Sequence, residues 1–207
     1  MPAVQTAETQ KAMTPAAALE RLKAGNDRFV AGKPLARDMV AERAATAKGQ
    51  YPFAVVLNCL DSRSAAEQIF DQGIGDVFSA RVAGNVLNDD ILGSMEFACK
   101  AAGAKLIVVV GHTKCGAVNG ACSDVRLGSL TGLLEKIKPA ANQLPADAKT
   151  SLGKDAYVDA VARANVKLVM QQIKDRSPIL AEMIQAGQVG VAGGIYDLES
   201  GKVAFLP

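Results

Sequence analysis

The chain has no tryptophan, one histidine and few aromatic residues, which make up 4% of its 207 positions. Stacking platforms for nucleic-acid bases are built from such rings, so a base-binding surface is not expected. An excess of either charge is missing too: 23 basic and 21 acidic residues leave a net charge of +2, with no basic run. That gives no reason to expect nucleic acid or an anionic membrane as partner. The apolar runs are short. Phe53 to Leu57 and Leu106 to Val110 are the longest, far below the roughly 20 residues a membrane helix needs. The first dozen residues are polar and alanine-rich, without the apolar segment of a signal peptide. The compartment expected is the cytoplasm, or the periplasm if a signal has been removed. Four cysteines are too sparse for a disulfide scaffold.

What is present is a soluble globular composition, 49% hydrophobic and 21% charged, long enough for one sizeable core. Residues 1–13 read as a flexible lead and 14–207 as a single domain. Thr14-Pro15 is a helix start, with threonine as cap and proline at the first helical position. The charged segment 32–50 reads as a connection, with a possible helix around 38–48. Continuous apolar runs at 53–57 and 105–110 are expected for strands buried on both faces. A shorter strand is expected at 77–82, and helices near 65–72, 89–102, 155–175 and 178–186. A closing hairpin turns at Glu199-Ser-Gly-Lys. Alternation of strands and helices predicts an α/β fold, a mostly parallel central sheet flanked by helices with an N-terminal helical arm.

Two segments carry chemistry. Cys59-Leu-Asp61-Ser-Arg63 directly follows the first buried strand, and His112-Thr-Lys-Cys115 directly follows the second. In open α/β sheets, ligands bind at the carboxyl ends of parallel strands, where both segments fall. Two thiolates and an imidazole form a donor set suited to zinc. His112 is the only histidine, so a second imidazole as fourth ligand is excluded. Cys99 lies on a helical apolar stripe and Cys122 in an Ala/Gly-rich stretch, both expected as buried hydrophobes. Three protein ligands leave one position for water, the pattern of catalytic rather than structural zinc. Asp61 either takes that position or is held off it by Arg63.

Cys-x-Asp-Ser-Arg followed some fifty residues later by His-x-x-Cys-Gly resembles the β-class carbonic anhydrases. The likeness runs through Phe70-Asp-Gln-Gly, Arg81-Val-Ala-Gly-Asn85, Gly93-Ser-Met-Glu-Phe97, Gly111-His-Thr-Lys-Cys-Gly116, Leu19-Glu-Arg-Leu-Lys-Ala-Gly-Asn26 and Gly194-Ile-Tyr-Asp-Leu. It implies one zinc per chain on Cys59, His112 and Cys115, with Asp61 and Arg63 as the catalytic pair. Gln50, Phe78, Ala83, Phe97 and Gly116 would contact the substrate. The implied reaction is reversible hydration of carbon dioxide, in a homodimer or homotetramer with zinc near the subunit interface. Relatives with these motifs hydrolyse carbonyl sulfide or carbon disulfide, and a non-catalytic zinc-binding protein is the remaining alternative. Two departures stand out. Ser64-Ala-Ala-Glu67 replaces the usual Val-Pro after the Asp-Ser-Arg motif. Val56 stands where some members carry the tryptophan of an inhibitory bicarbonate site, so the constitutively open type is expected.

Overall fold

A computed structural model describes residues 3–207. The order of elements is α1 (Ala7–Ala12), α2 (Pro15–Val30), α3 (Met39–Thr46), β1 (Ala54–Asn58), α4 (Ala66–Ile69) and β2 (Val77–Arg81). A 3₁₀ turn at Ala83–Asn85, helix α5 (Asp89–Glu96) and a π turn at Phe97–Ala101 lead into β3 (Leu106–His112). Then come α6 (Gly116–Cys122), α7 (Gly128–Glu135), α8 (Lys138–Ala141), α9 (Ala148–Ser151), α10 (Lys154–Arg176), α11 (Pro178–Gln185), β4 (Gly190–Tyr196) and β5 (Val203–Phe205).

The strands form one sheet in the order β2-β1-β3-β4-β5. The first four are parallel, and only β5 runs against β4. Neither β1 nor β3 shows polar alternation, because helices cover both faces and every residue of each strand is buried. Alternate side chains divide between two cores. Val55, Leu57, Ile107 and Val109 meet Met95, Val166, Val169 and Ile173 on one face. Val56, Val108 and Val110 meet Leu22, Ile69 and Phe70 on the other. A third apolar cluster lies beyond the carboxyl ends of the strands. There Val118, Leu134, Ile137, Val158 and Val161 pack around Cys59 and Cys115.

Thr14 accepts from the Ala17 amide and Pro15 opens α2, as its sequence predicts. The flexible lead is corrected from residue 7 onward. Thr6 and Thr9 form a reciprocal capping box on α1. Gln10, buried, then donates to the carbonyls of Pro52 (2.7 Å) and Ala102 (2.8 Å), pinning the helix to the amino ends of the sheet. Met1 and Pro2 of that lead lie outside the described residues.

The connection 32–50 carries more than α3. Arg37, only 12% exposed, lies among three buried carboxylates: Glu42 at 3.2 Å, Asp76 at 3.6 Å and Asp71 at 3.9 Å. Arg28 also binds Asp71 (2.6 Å), and Arg21 binds Asp76 (2.8 Å). The network ties the N-terminal helices to the loop between α4 and β2. Removing one member of such a group leaves buried charge uncompensated. Arg37→Ala is therefore expected to cost about 3–5 kcal/mol in denaturant unfolding. A loss below about 1 kcal/mol would reduce the network to the worth of a surface ion pair.

Candidate metal centre and active site

Parallel pairing in register sets Asn58 beside Val110, so β1 and β3 end side by side. The chain then turns at Cys59 on one strand and at His112 on the other. Cys115 follows as the residue capping α6. The ligand atoms of Cys59, His112 and Cys115 all lie within 4.8 Å of one another. All three residues are at least 96% buried.

Both turns are held by polar groups of the surrounding chain. Ser64 Oγ donates to the carbonyls of Cys59 (3.3 Å) and Asp61 (3.0 Å). Arg81 grips the same two carbonyls, through Nε at 3.1 Å and Nη2 at 2.5 Å. Buried Asn58 adds a bond to the Ser64 carbonyl. On the other turn, Lys114 adopts a left-handed backbone (φ 55°), uncommon for a residue with a side chain. Its amide donates to Asp159 Oδ1 at 3.0 Å, and the Leu198 amide donates to Thr113 Oγ1 at 3.1 Å.

The imidazole of His112 lies 2.9 Å from the Thr113 carbonyl through Nδ1. An Nδ1–H donating there leaves the Nε2 lone pair facing the two sulfurs, and Nε2 is buried with no hydrogen-bond partner. The thiols face each other. The Cys115 thiol, with His112 and the Asp61 and Gly84 amides, draws Cys59 well below the usual thiol range against its burial. Cys59 and burial push Cys115 upward. Two buried sulfurs cannot both carry negative charge without a cation. The orphaned nitrogen and paired sulfurs therefore fit a soft divalent metal.

Asp61 is turned toward Arg63. Its Oδ1 accepts from the Arg63 amide and Nε, both at 3.0 Å, and its Oδ2 from Nη2 at 2.8 Å. Oδ2 also lies 3.9 Å from His112 Nε2. The Arg63 guanidinium holds the Asp61 carboxyl far below the ordinary carboxylate range, so it is ionised throughout neutral pH. The sequence left two fates open for Asp61, and this geometry is the one in which arginine holds the carboxylate aside.

The remaining candidates are distributed unevenly. Ala83, in the 3₁₀ turn, and Gly116, first residue of α6, adjoin the ligands. Phe78 and Phe97 meet each other edge to face, centroids 6.2 Å apart, on an apolar groove with Val55, Ala80 and Ile91. Phe97 is 59% exposed. Gln50 is exposed before the start of β1, whereas Cys59 follows its end. The intervening five-residue strand spans roughly 16 Å, so one chain does not bring Gln50 to its own metal centre. Cys99 is buried, its thiol pushed up to about 12 by that burial. Cys122 is half-buried. Val56 is packed in the core beside Leu22 and offers no aromatic face.

Sequence reasoning missed Arg81, Asn58, Ser64 and the Gly84 amide, which donates to Cys59 Sγ at 3.3 Å. It also missed Asn165, which binds the Gly84 carbonyl. A signal for Asn165 was available: it sits four residues after Val161 and four before Val169, on the core-facing stripe of α10.

Fold and site together define an α/β protein with a buried centre of two thiols and one imidazole beside a carboxylate–guanidinium pair. The carbonic anhydrase family model matches residues 54–203. Carbonic anhydrase 2 of Mycobacterium tuberculosis is 39% identical over 197 residues, covering 92% of either chain. The carbonic anhydrase of Mycolicibacterium smegmatis is 38% identical over 195 residues, covering 91% of this chain and 92% of its own. Among solved structures, a β-carbonic anhydrase of Aspergillus fumigatus superposes with a TM-score of 0.75 at 30% identity, over 92% of this chain and 89% of its own. A tetrameric β-carbonic anhydrase of Sordaria macrospora gives 0.74 at 27% identity, over 79% and 84%. The chain belongs to the β-class carbonic anhydrases, a family of lyases. No helix among the described residues is long and apolar enough to cross a membrane.

Proposed function

We propose that this enzyme hydrates carbon dioxide reversibly to bicarbonate and a proton, with one zinc ion per chain held by Cys59, His112 and Cys115. The observation that carries the reading is the buried, unpartnered His112 Nε2 facing two sulfurs beside an arginine-held carboxylate. When bound, zinc would supply Lewis acidity that makes a hydroxide nucleophile available at moderate pH. Two thiolates leave a weaker Lewis acid than neutral imidazoles do, so turnover is expected to rise toward alkaline pH.

The protein's own groups do the rest. Arg63 holds Asp61 ionised beside the centre, where its Oδ2 would accept a hydrogen bond from the attacking group and fix its orientation. Ala83 and Gly116 border the space in which carbon dioxide would sit. Gln50, Phe78 and Phe97 stand away from their own centre, and they would serve catalysis in a homodimer or homotetramer, where a second copy brings them to it. The tetrameric Sordaria macrospora relative supports such an assembly.

Proton export is the constrained step. His112 is the only histidine and is buried among the ligands, so Asp61, solvent and external buffer are the remaining carriers. Turnover is therefore expected to climb with buffer concentration until another step limits it. Stopped-flow hydration on zinc-quantified protein, scanned from about pH 6.5 to 9 around the expected pKa of the nucleophile, tests the reading. Turnover that rises with pH and with buffer supports it. No turnover at about one zinc per chain would overturn it in favour of carbonyl sulfide or carbon disulfide hydrolysis, or of a non-catalytic zinc protein.

A further inference from the structure

We infer that Asn165 is a positioning residue for the metal centre, acting through the backbone of Gly84 on the sulfur of Cys59. It rests on the proposed role of Cys59 as a ligand. Asn165 projects from the middle of α10 and is 99% buried. Its Nδ2 donates to the Gly84 carbonyl at 2.9 Å, and the Gly84 amide donates to Cys59 Sγ at 3.3 Å. Gly84 has little freedom to move. Its backbone is left-handed (φ 65°), and a Cβ there would come within 2.6 Å of Ile137 Cδ1 and 3.3 Å of Ala117 Cβ. Ile137 and Ala117 fill the space a side chain would need, and Asn165 holds the carbonyl.

An amide aimed at a thiolate withdraws charge from the sulfur and sets the direction of its remaining lone pairs. Partners of this kind orient metal ligands and tune how strongly they donate. The longest helix of the fold thereby reaches a cysteine that lies 106 positions away in sequence, through one side chain and the backbone of one residue. A purely structural asparagine would need only to satisfy its own polar atoms. Here its Oδ1 has no partner, and its one hydrogen bond is spent on the carbonyl of the residue whose amide faces Cys59.

The test compares Asn165→Leu, which keeps the approximate shape, with Asn165→Asp, which keeps the outline and loses the donor. Zinc affinity is measured by chelator competition, and the sulfur-to-metal charge-transfer band is recorded on cobalt-substituted protein. The expected result is a zinc dissociation constant raised about 10- to 100-fold, with a shifted charge-transfer band. Ser177→Ala is the control. Ser177 is buried at the far end of α10, bound to Glu96 and capping α11, so its loss lowers stability but leaves metal affinity and band unchanged. Should one Asn165 variant not fold, the other decides by the same two readouts. Cys59→Ser separates the two layers of the argument. Weak binding in Cys59→Ser with wild-type affinity and band in the Asn165 variants overturns this inference alone. Wild-type binding in Cys59→Ser overturns the ligand assignment and the inference with it.

Discussion

Asp61→Asn is expected to retain about one zinc per chain, as proposed for the wild type, and to hydrate carbon dioxide roughly 10²- to 10⁴-fold more slowly, the range one positioned acid–base group supplies. The amide keeps the outline of the carboxylate but carries no negative charge with which to accept a strong hydrogen bond, and its pairing with Arg63 loses charge assistance. Because Asp61 is outside the ligand set, metal content measured alongside turnover separates its role from that of a ligand. The pH profile carries a further signature. Arg63 depresses the Asp61 carboxyl, so the group is charged above the ordinary carboxylate range and loses its charge only as pH falls well below it. Its titration cannot produce an alkaline rise in activity. The variant should therefore show lower turnover on a profile of the same shape. An Asp61→Asn enzyme within about threefold of wild type would sink the assignment, being far below the expected range.

His112→Ala is expected to abolish both stable zinc binding and turnover. The chain holds no second histidine that could swing into place, and Cys99 and Cys122 lie outside the ligand cluster. The substitution leaves two facing, buried sulfurs with only a two-coordinate protein set, which does not complete a catalytic zinc site. Metal analysis after extensive dialysis and stopped-flow hydration on the same sample read the two losses. Retention of about one tightly held zinc with substantial turnover would show that the ion sits elsewhere. Cys115→Ser should give the same pair of losses, since Cys115 is as deeply buried and belongs to the same cluster.

How far these assignments could be read in advance depended on where the information lies along the chain. The buried strands were legible because β1 and β3 are continuous runs of valine, leucine and isoleucine covered on both faces. The cluster of Cys59, His112 and Cys115 was legible because its members fall at or just past the ends of such runs, and parallel pairing brings strand ends together. The helices between 116 and 151 were not: α7, α8 and α9 are short and lack side-chain caps. They exist by packing Leu134, Ile137, Ala140 and Ala148 against the rest of the molecule. The docking of α1 escaped notice because it depends on Gln10 reaching Pro52 and Ala102, contacts that no local pattern announces.

The sequence by itself determined the sheet-forming runs and the candidate donor set, both local properties of residue type and short spacing. Tertiary structure decided the rest. It brought Cys59 and His112 together from 53 positions apart, turned Asp61 away toward arginine, and aimed the Gly84 amide at the Cys59 sulfur under the hold of Asn165. It also set Gln50 at the opposite end of β1 from Cys59. The physical reason is the same in each case. Hydrophobic periodicity states which face of an element is buried, but the direction of a single hydrogen bond depends on partners that are distant in the chain and adjacent only after folding.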